Sequence, residues 1–414
     1  MSHPVERSYL QVLRNRRLAV LLGGDVMSKI GDGMVIVALP LQTLRIHDGL
    51  NPAIAISLIE AAPYTLAVAV SLFFGLGRRR FRPRALMLTD CVLRFAVFTG
   101  VAVLALTQVL PLWLLGVALF AGSGLRLLAA SSRRLIATGM GDEQSRFAIN
   151  GLLGTSDSLA VYVAGPALGG VLAATFSPAF VLLLDGVSFL ALLVVVLFAV
   201  PAKASEVVRS AADRHTGWTI LRRVPVAAWL FVVVFFFNFF YMPVEVALPL
   251  LVRGPFDASA GTLGAIWTSF GIGALVGAVA TNQLRRLPQT ALLVSIIAGW
   301  ASCIVLLAAA PNAVVAGIAL TVGGLIYAPF TPVAYSLVQG LLDPHEQQPV
   351  LTLWAAGTAV AAPLGLVLGG PLVQFTGIHG GLLASAVLTF ALVPAAAQSA
   401  KRDRRTHIAA EIRK

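Results

Sequence analysis

Long apolar runs separated by short polar breaks occupy almost the whole chain. They fall at about 18–44, 52–74, 85–107, 109–131, 147–173, 178–200, 226–252, 259–283, 290–309, 313–338, 350–374 and 381–398. Each is long enough, as a helix, to cross a hydrocarbon layer of about 30 Å. The pattern predicts an all-α polytopic membrane protein with twelve transmembrane helices. Runs 3 and 4, 9 and 10, and 11 and 12 are joined so tightly that the pattern alone also admits eleven.

The longest polar interval, 201–225, carries Lys203, Glu206, Arg209, Asp213, Arg214 and His215. It divides the chain into a cytoplasmic N-terminus (1–17), a six-helix bundle (18–200), a central loop (201–225), a second six-helix bundle (226–398) and a basic tail (399–414). The halves echo one another. Val37-Ala38-Leu39-Pro40-Leu41 near the end of run 1 returns as Val246-Ala247-Leu248-Pro249-Leu250 near the end of run 7, with Arg45 and Arg253 close behind. Gly165-Pro166-Ala167-Leu168-Gly169-Gly170 in run 5 has an echo in Pro363-Leu364-Gly365 and Gly369-Gly370-Pro371 of run 11. Repeats of the same topology fit two pseudo-symmetric bundles related by an axis along the membrane normal, an arrangement that favours a transporter.

Composition sharpens this picture. Hydrophobic residues make up 58% and charged residues 12%, against roughly 25% charged in soluble domains. A soluble fold this apolar would expose large apolar patches. The net charge of +12 does not point to nucleic acid, because the basic residues sit in loops beside the membrane. Of the 30 Lys and Arg residues, only Arg45 and Arg253 fall in one set of loops, while Lys29, Arg94 and Arg126 lie inside helices. The others occupy the alternate loops and the ends, Arg133 and Arg134 among them. By the positive-inside rule both termini are cytoplasmic, in a cell (inner or plasma) membrane. Cys91 and Cys303 both lie in apolar runs, so neither disulfide nor metal site is indicated. The basic N-terminus lacks a small-residue cleavage pattern and reads as no removable signal peptide.

Several stretches carry a family resemblance. Leu13-Arg14-Asn15, Ser28-Lys29-Ile30-Gly31-Asp32, Ala38-Leu39-Pro40 and Leu184-Asp185-Gly186-Val187-Ser188-Phe189 resemble the major facilitator superfamily. Within it they resemble the drug/proton antiporter branch that includes macrolide-efflux and enterobactin-exporter-like proteins. The run Gly165, Pro166, Ala167, Leu168, Gly169, Gly170 is similar to the end of that branch's helix 5 antiporter motif, although Val161 stands where an earlier glycine is expected. The resemblance implies a monomeric transporter that works by alternating access, with helix 5 sealing one end of a cavity and helix 7 lining it. One loop departs from the pattern. The superfamily's Gly-x-Leu-Ala-Asp-Arg-x-Gly-Arg-Arg reads here Gly75-Leu76-Gly77-Arg78-Arg79-Arg80-Phe81-Arg82-Pro83-Arg84, with Arg78 in place of the gate Asp.

Charges inside apolar runs are the candidate functional residues, since they are costly in a bilayer and mark ion or substrate paths. Asp25, Lys29 and Asp32 share one face of run 1. The favourable i, i+4 spacing pairs Asp25 with Lys29 as structure or gate, or Lys29 exchanges between the two acids. Asp32, deeper along the helix, is a proton-coupling candidate, or a packing acid held by a nearby donor. Glu60 and Glu245 have no opposite charge within a turn of their own helices. Each is neutral, paired across helices or exposed to a wet cavity, and both are proton-site candidates. Asn238, below Glu245, either bonds substrate or makes an interhelical packing bond. Asp90 and Arg94 stand at i, i+4 and, with Arg126 and Asp157, form an expected buried network serving structure and gating, or substrate contact. Gly165, Pro166, Gly169 and Gly170 permit close packing and a kink. The phenylalanines of 235–240 read as packing or lipid-facing residues.

These features converge on a secondary active transporter: proton-coupled efflux of a small amphipathic molecule (a drug, antibiotic or siderophore) by alternating access. The expected partners are that substrate, protons and the lipid bilayer, with no nucleic acid, cofactor or metal. An importer or lipid flippase of the same fold, or a transport-inactive regulatory membrane protein, are the alternatives. An enzyme is disfavoured. Gly31-Asp32 lacks the first glycine of the intramembrane aspartyl protease motif, and no His-Glu-x-x-His occurs.

Overall fold

The computed structural model describes residues 9–76, 80–201, 208–209, 214–284 and 286–397. A short helix, α1 (Tyr9–Leu13), leads into α2 (Arg16–Arg45) and α3 (Pro52–Leu76), followed by α4 (Pro83–Leu106), α5 (Leu112–Gly122), α6 (Arg126–Gly139) and α7 (Arg146–Leu159). A single π-helical stretch, Ala160–Ala164, runs from α7 into α8 (Gly165–Thr175), and α9 (Pro178–Ala199) follows. The second half begins with α10 (Arg214–Arg223) and α11 (Pro225–Arg253). It continues through α12 (Ala260–Leu284), α13 (Gln289–Ala308), α14 (Ala313–Tyr327), α15 (Phe330–Gly340) and α16 (Pro344–Phe390). Two short strands, β1 (Arg80–Phe81) and β2 (Val208–Arg209), pair antiparallel, Arg80 opposite Arg209.

Local chemistry explains the boundaries. Pro52, Pro83, Pro178, Pro225 and Pro344 open their helices, where the missing N–H costs nothing and the fixed φ suits the first turn. The Ser177 hydroxyl accepts from Phe180 N at 3.1 Å, and Asn312 Oδ1 accepts from Val314 N and Val315 N, both at 3.1 Å. Each satisfies backbone donors that a helix start leaves without partners.

Among the described residues, ten helices are long and apolar enough to span a membrane. Two further features are consistent with twelve. The helix α2, 30 residues long, has the length to cross a membrane but carries Asp25, Lys29 and Asp32. The last span, Pro344–Ala397, is counted as one although Gly377 (φ 75°) breaks it. Only glycine adopts that backbone readily. One expected boundary is corrected: run 4 does not end at 131, because α6 continues to Gly139. Arg133, assigned above to a loop, is therefore a helical residue and nearly buried.

The chain forms two compact units. Unit 1 contains residues Met1–Gly49, Ala62–Ala211 and Ser259–Thr268; unit 2 contains Leu50–Ala61, Ala212–Ala258 and Ser269–Lys414. The first turns of α3 thus belong to unit 2 and those of α12 to unit 1. In unit 1, α9 packs along α2 and α4. Leu18, Leu21, Met87, Cys91, Ile136, Ile149, Leu192 and Val196 belong to one buried apolar cluster there. In unit 2, α11 packs along α16, and α13 packs against α14 and α16.

Candidate functional site

Unit 1 gathers a set of charges among α2, α4, α6, α7 and α9. The carboxylate of Asp32 (α2) accepts a hydrogen bond from Arg94 Nη1 (α4) at 3.0 Å. Arg94 Nε lies 3.7 Å from Asp90 Oδ2, one turn earlier in α4. The guanidinium stacks over the Phe189 ring of α9, 4.6 Å from its centroid. Arg94 is only 5% exposed, so it is held on three sides by α2, its own helix and α9. The expected Asp90–Arg94 contact exists, but the hydrogen bond goes to Asp32.

Two expectations for this region are corrected. Asp25 does not pair with Lys29. It pairs with Arg133 of α6, while Lys29 Nζ reaches Asp157 Oδ1 of α7 at 3.1 Å. Asp25 faces the interior between α2 and α6, where Arg133 is buried beside it, whereas Lys29 leans toward the more open side, where Asp157 is 45% exposed. The second correction concerns the single network of Asp90, Arg94, Arg126 and Asp157. Its direct contacts are divided: Asp157 pairs with Lys29, and the Arg126 guanidinium lies over the Tyr64 ring at 5.4 Å while still acting electrostatically on Asp32 and Asp90.

Asp185 of α9 lies outside the candidate residues that the sequence points to. It is fully buried; its Oδ2 has no hydrogen-bond partner among the described residues, and the Ser188 hydroxyl stands 3.4 Å from Oδ1. Its signal was a lone acid in the middle of an otherwise apolar run. The signal for Arg133 was weaker, since an Arg-Arg doublet reads as the end of a helix.

Unit 2 holds Glu60 and Glu245. The two carboxylates are electrostatic neighbours, and the Tyr241 hydroxyl hydrogen-bonds to Glu245. Glu60 Oε2 is buried without a hydrogen-bond partner among the described residues. Neither acid forms an ion pair among the described residues. Tyr241 in turn enters a cluster of rings. Its centroid is 5.5 Å from Trp300 and 5.6 Å from Tyr327, and Phe237 stacks on Phe330 at 3.9 Å. Phe237 is fully buried while Phe236 is 37% exposed, so the 235–240 run divides between packing and outward faces. Among the described residues the Asn238 amide nitrogen bonds within its own helix instead of across helices: Nδ2 donates to Val234 O at 2.8 Å, one turn back.

The glycine motif is used for close helix contact. A Cβ on Gly165 would lie 2.5 Å from Gly33 Cα, and one on Gly169 2.7 Å from Met34 O, both on α2. A Cβ on Gly170 would lie 2.9 Å from Gly264 Cα and 3.1 Å from Ala260 O of α12. Pro166 stands at the start of α8, just after the π-helical stretch; such π-bulges are frequent at functional sites. The second half repeats the geometry. Gly365 meets Phe239 and Met242, Gly369 meets Pro243, and Gly370 meets Ser57 and Ala53 O. In the register of Val37–Leu41 against Val246–Leu250, Gly33 and Met34 correspond to Met242 and Pro243. The internal repeat read from sequence is thus a repeat of contacts. Arg78 lies outside the described residues.

Comparison with known proteins agrees with this architecture. The Major Facilitator Superfamily profile matches residues 21–323. "Multidrug efflux pump Tap" of Mycobacterium tuberculosis is 25% identical over 383 residues, covering 89% of this chain and 90% of its own. Its counterpart in Mycolicibacterium fortuitum is 25% identical over 393 residues, covering 89% and 91%. Among solved structures, the nucleoside transporter NupG superposes with a TM-score of 0.75 at 12% identity, over 93% of this chain and 99% of that one. A bacterial homologue of the iron transporter ferroportin, in an inward-facing state, gives 0.72 at 16% identity, over 92% and 98%. At these identities the solved structures speak to the fold.

Proposed function

The chain belongs to the major facilitator superfamily, and from that premise we propose that it is a proton-coupled exporter of small amphipathic molecules. It is a multi-pass membrane transporter, not an enzyme. The likeness to multidrug efflux pumps over most of its length supports the outward direction. The observation that carries proton coupling is the pair Glu60 and Glu245, neighbouring acids without a cation partner among the described residues. Two like charges in a poorly solvated site repel strongly, so the pair is well suited to carrying one proton. Loading and releasing that proton changes the local charge, and a charge change biases an inward–outward equilibrium.

In this reading Glu60, Glu245 and Asp32 serve the coupling and Asn238 the substrate cavity. Asp25, Lys29, Asp90, Arg94, Arg126 and Asp157 hold the charge network, and Gly165, Pro166, Gly169 and Gly170 seal the cavity. The protein works as a monomer in the plasma membrane with both termini in the cytoplasm, the two halves alternating access.

The test uses a host lacking its own efflux pumps, with ethidium as the probe. The protein should lower ethidium accumulation, a protonophore should abolish that effect, and Glu245→Gln should reduce efflux at least tenfold at unchanged protein level in the membrane. Accumulation insensitive to the protein across ethidium and a panel of antibiotics would overturn the efflux assignment. Protonophore-resistant efflux would overturn proton coupling.

A further inference from the structure

The charge cluster of unit 1 does not balance. Five carboxylates, Asp25, Asp32, Asp90, Asp157 and Asp185, stand with four cations, Lys29, Arg94, Arg126 and Arg133. Three cations are committed: Arg133 to Asp25, Lys29 to Asp157, and Arg94 to Asp32 with Asp90 alongside. Arg126 lies against Tyr64. Asp185 makes no ion pair among the described residues, although it is the most deeply buried of the five.

Its surroundings are specific. The charged groups that act on it are Asp32 from α2, Arg94 from α4 and Arg126 from α6. Ser188, one turn along α9, gives its shorter hydrogen bond (2.7 Å) to the Asp185 carbonyl and stands only loosely against the carboxylate, while Oδ2 has no partner among the described residues. Gly31 of α2 makes the room. A Cβ at that position would overlap Asp185 Oδ1 and come within 2.7 Å of the Ser188 hydroxyl. Arg94, stacked on Phe189 of the same helix as Asp185, interacts electrostatically with both Asp32 and Asp185.

An isolated ionised carboxylate buried without a partner is so costly that the group is held neutral instead. We propose that Asp185 is a second proton-binding site, and that Arg94 is the cation it shares with Asp32. With the proton on Asp185, Arg94 bonds Asp32, the arrangement observed. When the proton leaves to water in the transport path, the Asp185 carboxylate competes with Asp32 for the guanidinium, drawing α9 and α2 onto one cation. Its part in transport rests on the proton-coupled reading; the existence of the protonated acid does not.

The measurement is therefore made without transport. Full-length protein carrying isotope-labelled aspartate is reconstituted in lipid and titrated while infrared difference spectroscopy follows the carbonyl stretch of protonated acids. The label separates aspartates from Glu60 and Glu245. The wild type should show a labelled carboxylic-acid band that is lost in Asp185→Asn and retained in Asp157→Asn. Should Asp185→Asn fail to fold, Asp185→Glu should remove the band from the labelled set. A labelled band unaltered by substitution at Asp185, or none in the wild type, would overturn the proposal. A band lost as expected alongside protonophore-resistant ethidium efflux would uphold the site and overturn proton coupling. The converse pair of results would separate them the other way.

Discussion

Matching positions in the two halves hold their helices together by different chemistry. In the register of Val37–Leu41 against Val246–Leu250, Asp32 of α2 falls opposite Tyr241 of α11, and Lys29 opposite Asn238. Asp32 is fixed by Arg94 of α4; Tyr241 is packed against Trp300 of α13. One half therefore uses a buried ion cluster where the other uses rings. Aromatic packing is stabilising with little dependence on protonation, and edge-to-face or offset pairs add about 0.5–1.5 kcal/mol each beyond burial. A buried ion cluster contributes little net stability but depends strongly on every member being present. Unit 1 thus joins its helices through contacts that depend on charge, while in unit 2 a ring cluster carries the Tyr241 hydroxyl to Glu245.

The strongest way to break this contrast is to remove its central cation. Arg94→Met leaves Asp32 and Asp90 without the cation they share, and should destabilise the protein by about 3–5 kcal/mol. Thermal unfolding in a single detergent, followed by loss of monodisperse protein, measures it. A shift no larger than that of a surface substitution would show that the cluster is solvated after all. The next effect should be symmetrical. Gly165→Ala puts a methyl 2.5 Å from Gly33 Cα, and Gly365→Ala one 2.5 Å from Phe239 O. Forcing a methylene into packed backbone typically costs about 1–3 kcal/mol, so the two variants should lose similar thermal stability; a large difference would limit the repeat to sequence. Trp300→Phe, which keeps a ring against Tyr241 but leaves a small cavity where the indole was, should cost about 1–2 kcal/mol. A loss as large as that of Arg94→Met would erase the distinction between the halves.

How much of this was readable in advance follows from what each feature depends on. The spans were legible because they depend on local hydropathy, and the repeat because Pro40 and Pro249 mark the same place in two similar helices. Even the glycine contacts were foreshadowed by the common spacing of Gly165, Gly169 and Gly170 with Gly365, Gly369 and Gly370. Partner choice among the charges was not legible. Spacing along α2 favours Lys29 for Asp25, yet the partner is Arg133, 108 residues away. That choice is set by which face of α2 meets α6, a tertiary fact no helical period contains. For Asp185 the sequence shows a lone acid in an apolar run, but its complete burial is again a tertiary fact.

The smallest expected effect tests the edge of the ion cluster. Lys29 and Asp157 are joined at 3.1 Å, but Lys29 is 19% and Asp157 45% exposed, so the pair sits at the open side of the group that Arg94 centres. Exposed pairs are screened by solvent and typically give about 0.2–1 kcal/mol in double-mutant cycles. Lys29→Gln, Asp157→Asn and the double variant should accordingly show a coupling energy below about 1 kcal/mol in thermal unfolding. A coupling several times larger would mean that bilayer or protein shields this pair as fully as it shields Arg94. The cluster would then be a single buried unit reaching from α4 to α7, and Lys29 would have to be counted among the groups whose loss leaves a charge stranded.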